Sequence, residues 1–588
     1  MDLGNGPFIL LDDARPRGAP ARLYRDAREI VVAHAPEEVR PALDRIRASG
    51  LHAAGYLSYE AGHAFEPAAP AHPTGAPLLW FGLFERWVEL PSALVPAILP
   101  DPAGAWWGDA EPEVAFDDYA RAFAEVRELI RAGDLYQANL TIRARVAFDG
   151  DPLALYAAIR PRAEAGWGAI VSMGQRVVLS FSPELFFRLD GDALLCRPMK
   201  GTMRRAPDPA ADADAARALA ADPKQRAENL MIVDLMRNDL SRVAVVGSVA
   251  APRLFAVESY PTVHQMVSDV TARLARPYDA ADVLAAAFPC GSITGAPKVR
   301  AQQALHAIEA RPRDVYTGSI GRIDARGDAQ FNVAIRTLTV DADARHATLG
   351  LGGGIVADSR LDEEWDECLA KAAFLRPERR FDLVETMAFD PEEGIALLER
   401  HLARMKASAD LFGFAFDRHD ARNELQAATF RLRATARVRL LLARSGAVAI
   451  EVGPPPHTPP SPVTVAVAPS PVAPRDFRLR HKTTDRGFYD RARRDAGAFE
   501  VVFEDPGGLL TEGSFTNLFA PRGGRLVTPP LTRGLLGGVL RGALLDDGRA
   551  VEGDLTRADL GGGFFVGNAL RGLIPASLAV AETGTGPL

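Results

Sequence analysis

Arg197-Pro198-Met199-Lys200-Gly201-Thr202 closes a strand-like run and leaves one lysine in an otherwise small and apolar loop. A lysine becomes a nucleophile only when it gives up its proton, which burial or a neighbouring cation promotes by lowering a reference pKa of about 10.4. A solvated lysine after a strand is the commoner use of that residue. What surrounds Lys200 decides between the two, and most of the first 375 residues can be read outward from it.

Upstream, the pattern predicts a helix from about Asp117 to Ala132, with Tyr119, Phe123, Val126 and Ile130 on one face and Gly133 to end it. The next run has a period of two, with Tyr136, Ala138, Leu140, Ile142, Ala144, Val146 and Phe148 on one face of a strand, so Gln137 and Asn139 share the other. Strand runs around 168–189 and 193–200 are expected to complete an antiparallel meander, with turns at Met173-Gly174-Gln175 and Asp190-Gly191-Asp192 and an interruption at Ser182-Pro183-Glu184. Before all of these, residues 1–90 read as short strands and the proline-rich stretch 91–113 as a surface linker.

Downstream, Asp222-Pro223 opens a helix on which Glu228 falls at helical spacing from Met231, Ile232 and Leu235. A carboxylate on an apolar stripe needs a cation, and Arg237 is one candidate. Cys290-Gly-Ser-Ile-Thr-Gly-Ala-Pro-Lys298 is a glycine-bearing loop with Pro297 at the first turn of the next helix, so its free amides can cradle an anion. Gly352-Gly353-Gly354 reads as a second amide-rich turn, after which a helix from about Leu361 sets Glu364, Glu367 and Lys371 on one face.

The chain has 588 residues, too many for one core, with 47% hydrophobic and 24% charged residues and a net charge of −8. Basic residues are scattered among acids, which gives no sign of nucleic-acid binding, so an anionic ligand must be held by local arginines and amides. No secretory segment opens the chain and no apolar run approaches the roughly 20 residues that span a bilayer, so no membrane role and a cytoplasmic location are expected. Cys196, Cys290 and Cys368 are too few and too dispersed for a disulfide framework or a zinc site and read as packing residues.

Gly133-Asp-Leu-Tyr-Gln-Ala-Asn-Leu140, Ser182-Pro-Glu184, Pro198-Met-Lys-Gly-Thr202, Glu228 to Asp239, Gly291 to Lys298 and Gly352 to Ser359 together resemble the chorismate-utilising enzymes, in that family's order. The resemblance implies two large antiparallel sheets with outer helices and a Mg²⁺-dependent reaction on chorismate. It implies that Glu228, Glu364 and Glu367 hold Mg²⁺ against one substrate carboxylate. Arg336, Tyr316 and the amides of Gly353 and Gly354 would take the other carboxylate, with Gln137, Thr294 and Lys371 also on the substrate side. Glu184 stands where the family keeps the acid that protonates the departing 4-hydroxyl, and Lys200 would attack C2 before ammonia enters at C4. Relatives that make anthranilate carry alanine in place of Lys200, and those that make isochorismate or salicylate carry lysine in place of Gln137. His264 resembles a family histidine near the leaving group, although a lone histidine also serves structure. With no cysteine in a nucleophile context, ammonia is expected from a separate glutamine amidotransferase subunit.

After Phe374-Leu375-Arg376-Pro377 the pattern changes, and a Pro-rich bridge at 453–474 divides the second half; composition alone would make that bridge a tether, though a short connection between two lobes fits as well. His481-Lys482, Leu510-Thr-Glu-Gly-Ser-Phe-Thr-Asn-Leu-Phe519, Gly537-Gly-Val-Leu-Arg541 and Gly567-Asn-Ala-Leu570 resemble the fold-type IV pyridoxal-phosphate enzymes, and Asn568-Ala-Leu570 points to the aminodeoxychorismate lyase branch. By that match Lys482 carries pyridoxal 5'-phosphate, Glu512 pairs with its pyridine nitrogen, Arg404 and the amides of Gly538 and Val539 take its phosphate, and Asn568 belongs to the same site. An aminotransferase of branched-chain or D-amino-acid type, and a silent docking module, are the alternatives for this half; a homodimer through it stays open. Members of that family usually open with a strand and a glycine-rich turn, whereas Phe381-Asp-Leu-Val-Glu-Thr386 here follows almost directly on the first domain. The expected organisation is α+β, with a chorismate domain over 1–378 and a two-lobed domain over 379–588, its lobes at about 379–452 and 475–588.

Overall fold

The computed structural model describes residue 3 and residues 6–260, 263–341, 344–376 and 381–579; the expected boundary at 378/379 lies outside the described residues. Two units emerge, one of residues 1–99, 109–148 and 156–376, the other of 100–108, 149–155 and 377–588.

The first unit is α+β, built on two large antiparallel sheets. Alternation along the strands sends one set of side chains from each sheet into a shared layer, where Ile9, Tyr24, Val171 and Val178 of one meet Tyr56, Trp80, Phe84 and Ile320 of the other. The far face of the second sheet buries its apolar residues under the helices Pro36–Ser49, Pro223–Ser241 and Ala280–Ala287. The predicted helix runs from Phe116 to Arg131, and Gly133 follows it with φ +82°.

The expected meander is two hairpins in two different sheets. Trp167–Ser172 and Arg176–Ser182 pair in the first, Leu185–Asp190 and Ala193–Arg197 in the second. Ser182-Pro183-Glu184 is the crossing: Pro183 has no N–H to continue a ladder, while the Ser182 hydroxyl donates to the Val333 carbonyl at 2.6 Å and the Val333 amide to the Glu184 carbonyl at 3.1 Å.

Two further expectations are corrected. The triple glycine is no turn but the interior of the strand His346–Ile355, with Gly352, Gly353 and Gly354 opposite Thr141, Leu140 and Asn139. The 91–113 stretch is no surface linker, since Ala105–Pro112 is a strand with Ala105, Trp106 and Trp107 buried; apolar area outweighs the flanking prolines.

The second unit has a four-stranded antiparallel sheet (residues 383–453) with the helices Leu398–Phe412 and Arg418–Thr429, and an eight-stranded mixed sheet (residues 463–578). The 453–474 bridge contains the strand Val463–Pro469 of that larger sheet, parallel to Glu500–Glu504 and Gly572–Leu578, with Val463 and Val465 buried. Its alternating valines, which fit a buried face, override the proline-rich composition.

Candidate active sites

In the first unit the ladder from Met199–Arg204 to Val263–Arg273 is irregular between Met199 and Thr202, where Gly201 adopts φ +104°. Such a bulge re-aims the side chain it carries. Asn229, fully buried, fixes this stretch: its Nδ2 donates to the Lys200 carbonyl at 3.2 Å, and its Oδ1 accepts from the Ser268 hydroxyl at 2.6 Å. One residue earlier on the same helix, Glu228 supplies the partner of Lys200, with Nζ and Oε2 3.3 Å apart. Arg237 pairs instead with Asp234 at 2.8 Å, so the cation for the stripe carboxylate is the loop lysine.

The glycine strand closes over this lysine. A Cβ on Gly354 would lie 2.8 Å from Lys200 Nζ and 3.0 Å from Gln137 Nε2, and one on Gly353 would lie 3.2 Å from Glu364 Oε2. Gln137 is fully buried, and both its side-chain polar atoms lack a protein partner. An orphaned amide of that kind costs about 1–3 kcal/mol and marks a place where a ligand is expected.

Glu184 is 4% exposed and accepts from the Ser292 hydroxyl at 2.7 Å. Burial pushes its carboxyl up to about 7, against the opposing pull of Ser292, the Met199 amide and the Lys200 charge. Arg336 sits at φ +49°, a strained backbone for a side-chain-bearing residue, and no carboxylate pairs with it among the described residues. The Tyr316 ring lies where a Cβ on Gly350 would be, 2.0 Å from its Cγ.

Glu364 accepts from the Ser359 hydroxyl at 2.6 Å and Glu367 pairs with Lys371 at 3.0 Å. Among the described residues no three carboxylate, histidine or cysteine groups form a preformed cage; Glu364 and Glu367 act on each other, both feel the Lys200 charge, and Lys200 pairs with Glu228. Two of the three are held by lysines, Glu228 by Lys200 and Glu367 by Lys371. The donor chemistry still fits Mg²⁺, a hard cation that takes one or two protein carboxylates and completes its shell with water and substrate oxygens.

Two expected site residues are otherwise engaged. His264 is 2% exposed, its Nε2 bound to Asp212 and its Nδ1 to Ser259, each at 2.9 Å. The Thr294 hydroxyl bonds the Cys290 and Gly291 carbonyls, each at 3.3 Å. Lys298, quoted within the glycine loop, is structural here: it pairs with the buried Asp239 and donates to the Ala287 carbonyl at 2.8 Å.

In the second unit Lys482 is fixed by its backbone, whose carbonyl accepts from the Val384 amide at 3.0 Å. Burial, helped by the Arg404 charge, pushes its amine down to about 7. The buried Glu385 accepts from Arg404 at 2.8 and 2.6 Å and from His401 Nδ1 at 2.7 Å, which leaves His401 Nε2 buried without a partner. Arg404 also donates to the Gly537 carbonyl at 3.1 Å, which places the expected phosphate-binding arginine beside the start of the helix Val539–Asp546. Gly538 precedes that helix, and a Cβ there would lie 1.7 Å from Asn517 Oδ1.

Glu512 is 3% exposed and pushed up to about 7 by burial; it accepts from the Tyr489 hydroxyl at 2.5 Å and the Leu536 amide at 3.1 Å. Its loop is held by the fully buried Glu500, which takes the Ser514 and Thr516 hydroxyls at 2.5 and 2.7 Å. Asn568 serves its own turn: its Oδ1 accepts from the Leu570 and Arg571 amides at 3.1 and 2.9 Å and its Nδ2 donates to the Phe515 carbonyl at 3.1 Å. A half-buried low-pKa lysine, a buried carboxyl, an orphaned imidazole nitrogen and a glycine-started helix beside an arginine fit pyridoxal phosphate.

Ser292, Asn229, Glu500 and Tyr489 were not singled out from the sequence, because each acts by a tertiary hydrogen bond that no spacing encodes. The one available cue was that Ser292 and Asn229 lie inside quoted motifs.

With two sheets around a lysine–carboxylate site, residues 18–377 match the chorismate binding enzyme family, and the chain belongs to it. Residues 382–579 match the amino-transferase class IV family, so a class IV domain follows the first in tandem. The chain is 43% identical over 263 residues to aminodeoxychorismate synthase component 1 of Escherichia coli, across 45% of this chain and 58% of that protein. It is 45% identical over 255 residues to aminodeoxychorismate synthase of Streptomyces pristinaespiralis, across 43% of this chain and 35% of that one. These matches span less than two thirds of either relative. The menaquinone-specific isochorismate synthase of Escherichia coli shares the fold, with a TM-score of 0.51 at 18% identity over 63% of this chain and 88% of that one.

Proposed function

We propose that the chain converts chorismate and ammonia to 4-amino-4-deoxychorismate and then splits that product into 4-aminobenzoate and pyruvate, an activity of folate biosynthesis carried out in the cytoplasm. The observation that carries the first half is Lys200 Nζ held between Glu228, Gly354 and the unpartnered Gln137. Glu184, protonated up to about pH 7, donates its proton to the departing 4-hydroxyl. Lys200 bonds to C2 as that oxygen leaves with its electron pair; ammonia then bonds to C4 and the lysine departs. Arg336, Tyr316 and the glycine-strand amides take one carboxylate of the substrate, while Glu228, Glu364 and Glu367 would hold Mg²⁺, which supplies charge neutralisation at the other.

All three cysteines are buried, and burial pushes the Cys290 and Cys368 thiols up to about 12, the opposite of what a glutaminase nucleophile needs. Ammonia on this reading comes from a separate glutamine amidotransferase subunit.

In the second half, Lys482, Glu512, Arg404, Gly538 and Val539 would hold pyridoxal phosphate, which supplies an electron sink. Lys482, neutral near pH 7, takes the proton from the amine-bearing ring carbon, and loss of pyruvate makes the ring aromatic. With Asn568 occupied in its turn, the lyase choice over an aminotransferase rests on the fusion itself, since the first domain would make the lyase substrate.

The test is product identity in Lys200→Ala. It should lose most amination at C4 and divert slow turnover to anthranilate; undiminished aminodeoxychorismate formation would refute the covalent step.

A further inference from the structure

The second unit includes two stretches, residues 100–108 and 149–155, that lie far upstream of the 382–579 family match. Both are spent on the short segment that leads into Lys482. His481, its immediate neighbour, is 8% exposed and gripped at both ring nitrogens: Nδ1 by the Ser408 hydroxyl at 2.9 Å, Nε2 by Asp149 Oδ2 at 2.8 Å. A carboxylate only accepts, so Nε2 carries the proton in that bond. The other oxygen of Asp149 takes Arg480, and the hydrogen bond from His481 together with the Arg480 charge holds its carboxyl below the usual range despite burial.

Residues 100–108 back the same segment. Arg478 pairs with Asp476 at 2.6 Å and with Asp101 at 2.7 Å. Gly104 is pressed so close that a Cβ would lie 3.0 Å from Asp476 Oδ2. Trp106 packs edge-on to Phe412 at 4.8 Å, and the same ring contacts His481 at 4.6 Å. On the other side of Lys482, Thr483 bridges to Leu383 and the Thr484 amide bonds the Asp382 carbonyl at 2.9 Å. The lysine is thus pinned downstream by the entry strand of its own domain and upstream by residues from an earlier part of the chain.

We infer that residues 100–108 and 149–155 complete the second unit in place of its shortened entry, with Asp149 acting through His481 as a positioning residue for Lys482. This rests on the cofactor reading of Lys482. The second unit is therefore not the contiguous piece that begins at the 378/379 boundary.

The experiment uses the full chain with pyridoxal 5'-phosphate as probe, comparing the parent with Asp149→Asn, Asp149→Glu and Asp101→Asn. Read out are the dissociation constant by fluorescence and the pH at which the absorbance band of the bound cofactor shifts. Asp149→Asn should bind about tenfold more weakly and move that pH, while ammonia-dependent turnover of chorismate stays near the parent rate. Asp149→Glu should restore most of both, and Asp101→Asn, half exposed, should change affinity less than Asp149→Asn. If Asp149→Asn does not accumulate as folded protein, His481→Gln removes the same bond from the other side and is read in the same way. Parental affinity and an unmoved band in the folded variant overturn the inference. A parent chain that binds no pyridoxal phosphate overturns the cofactor reading beneath it.

Discussion

Replacing Gly354 by alanine should separate chemistry from stability. The new methyl would lie 2.8 Å from Lys200 Nζ and 3.0 Å from Gln137 Nε2, where relaxed contact needs about 3.5 Å or more, so the amine must retreat by roughly 0.7 Å. Its backbone torsion is one that alanine adopts freely, and both obstacles are ends of side chains. Overpacking of about 1–3 kcal/mol is partly offset by up to about 1 kcal/mol from removing a glycine inside a strand. Net stability should therefore fall by between about zero and 3 kcal/mol. Misplacement of a reacting atom by about 1 Å costs on the order of a hundredfold in rate, or about 2.7 kcal/mol. Ammonia-dependent kcat/KM for chorismate and the urea midpoint measure the two effects. Gly353→Ala, whose Cβ meets Glu364 at 3.2 Å, should lose only a few-fold, whereas Gly350→Ala, 2.0 Å into the Tyr316 ring, should fail to fold. Parental kcat/KM in a folded Gly354→Ala protein would refute the placement of Lys200 under the glycine strand.

Glu184 titrates near 7 and is the acid below that pH, so the amination rate should fall as pH rises through about 7; Ser292→Ala removes a bond to the carboxylate and should move that limb upward, and a limb that stays put or moves down counts against the assignment. Because the folded value lies above the ordinary 4.5, the same carboxyl stabilises the fold fully below about 4.5 and loses that contribution as pH climbs through 7, which urea midpoints across that window will register. Lys482→Ala should lack the absorbance band of lysine-bound cofactor and accumulate aminodeoxychorismate, with the first reaction near its parent rate; release of 4-aminobenzoate at the parent rate would remove Lys482 from the chemistry.

Much of the first site was legible because its chemistry sits in short local motifs. Lys200, Glu184 and Gln137 are each announced by their own loop or strand register, and the cation demanded by Glu228 was predicted as a need, though Lys200 rather than Arg237 meets it. What the pattern could not give was pairing between distant segments. Nothing in Ser182-Pro183-Glu184 says that the next strand joins another sheet, and three consecutive glycines look like a turn unless the crowding of Lys200, Gln137 and Glu364 above them is known. The proline-rich stretches misled for the same reason: Trp106 and Val465 are buried by partners remote in sequence. Asn568 and His264 carried family expectations; Asn568 is hydrogen-bonded within its own turn and His264 to the distant Asp212, a pairing that no local pattern gives.

The most direct measurement supplies the purified full chain with chorismate, Mg²⁺, ammonium and pyridoxal phosphate and follows 4-aminobenzoate and pyruvate together. The account predicts equimolar formation of both without an added amino-group acceptor, and none when glutamine replaces ammonium in the absence of a glutaminase subunit. Aminodeoxychorismate that accumulates unsplit, or is consumed only when an amino-group acceptor is present, would contradict it.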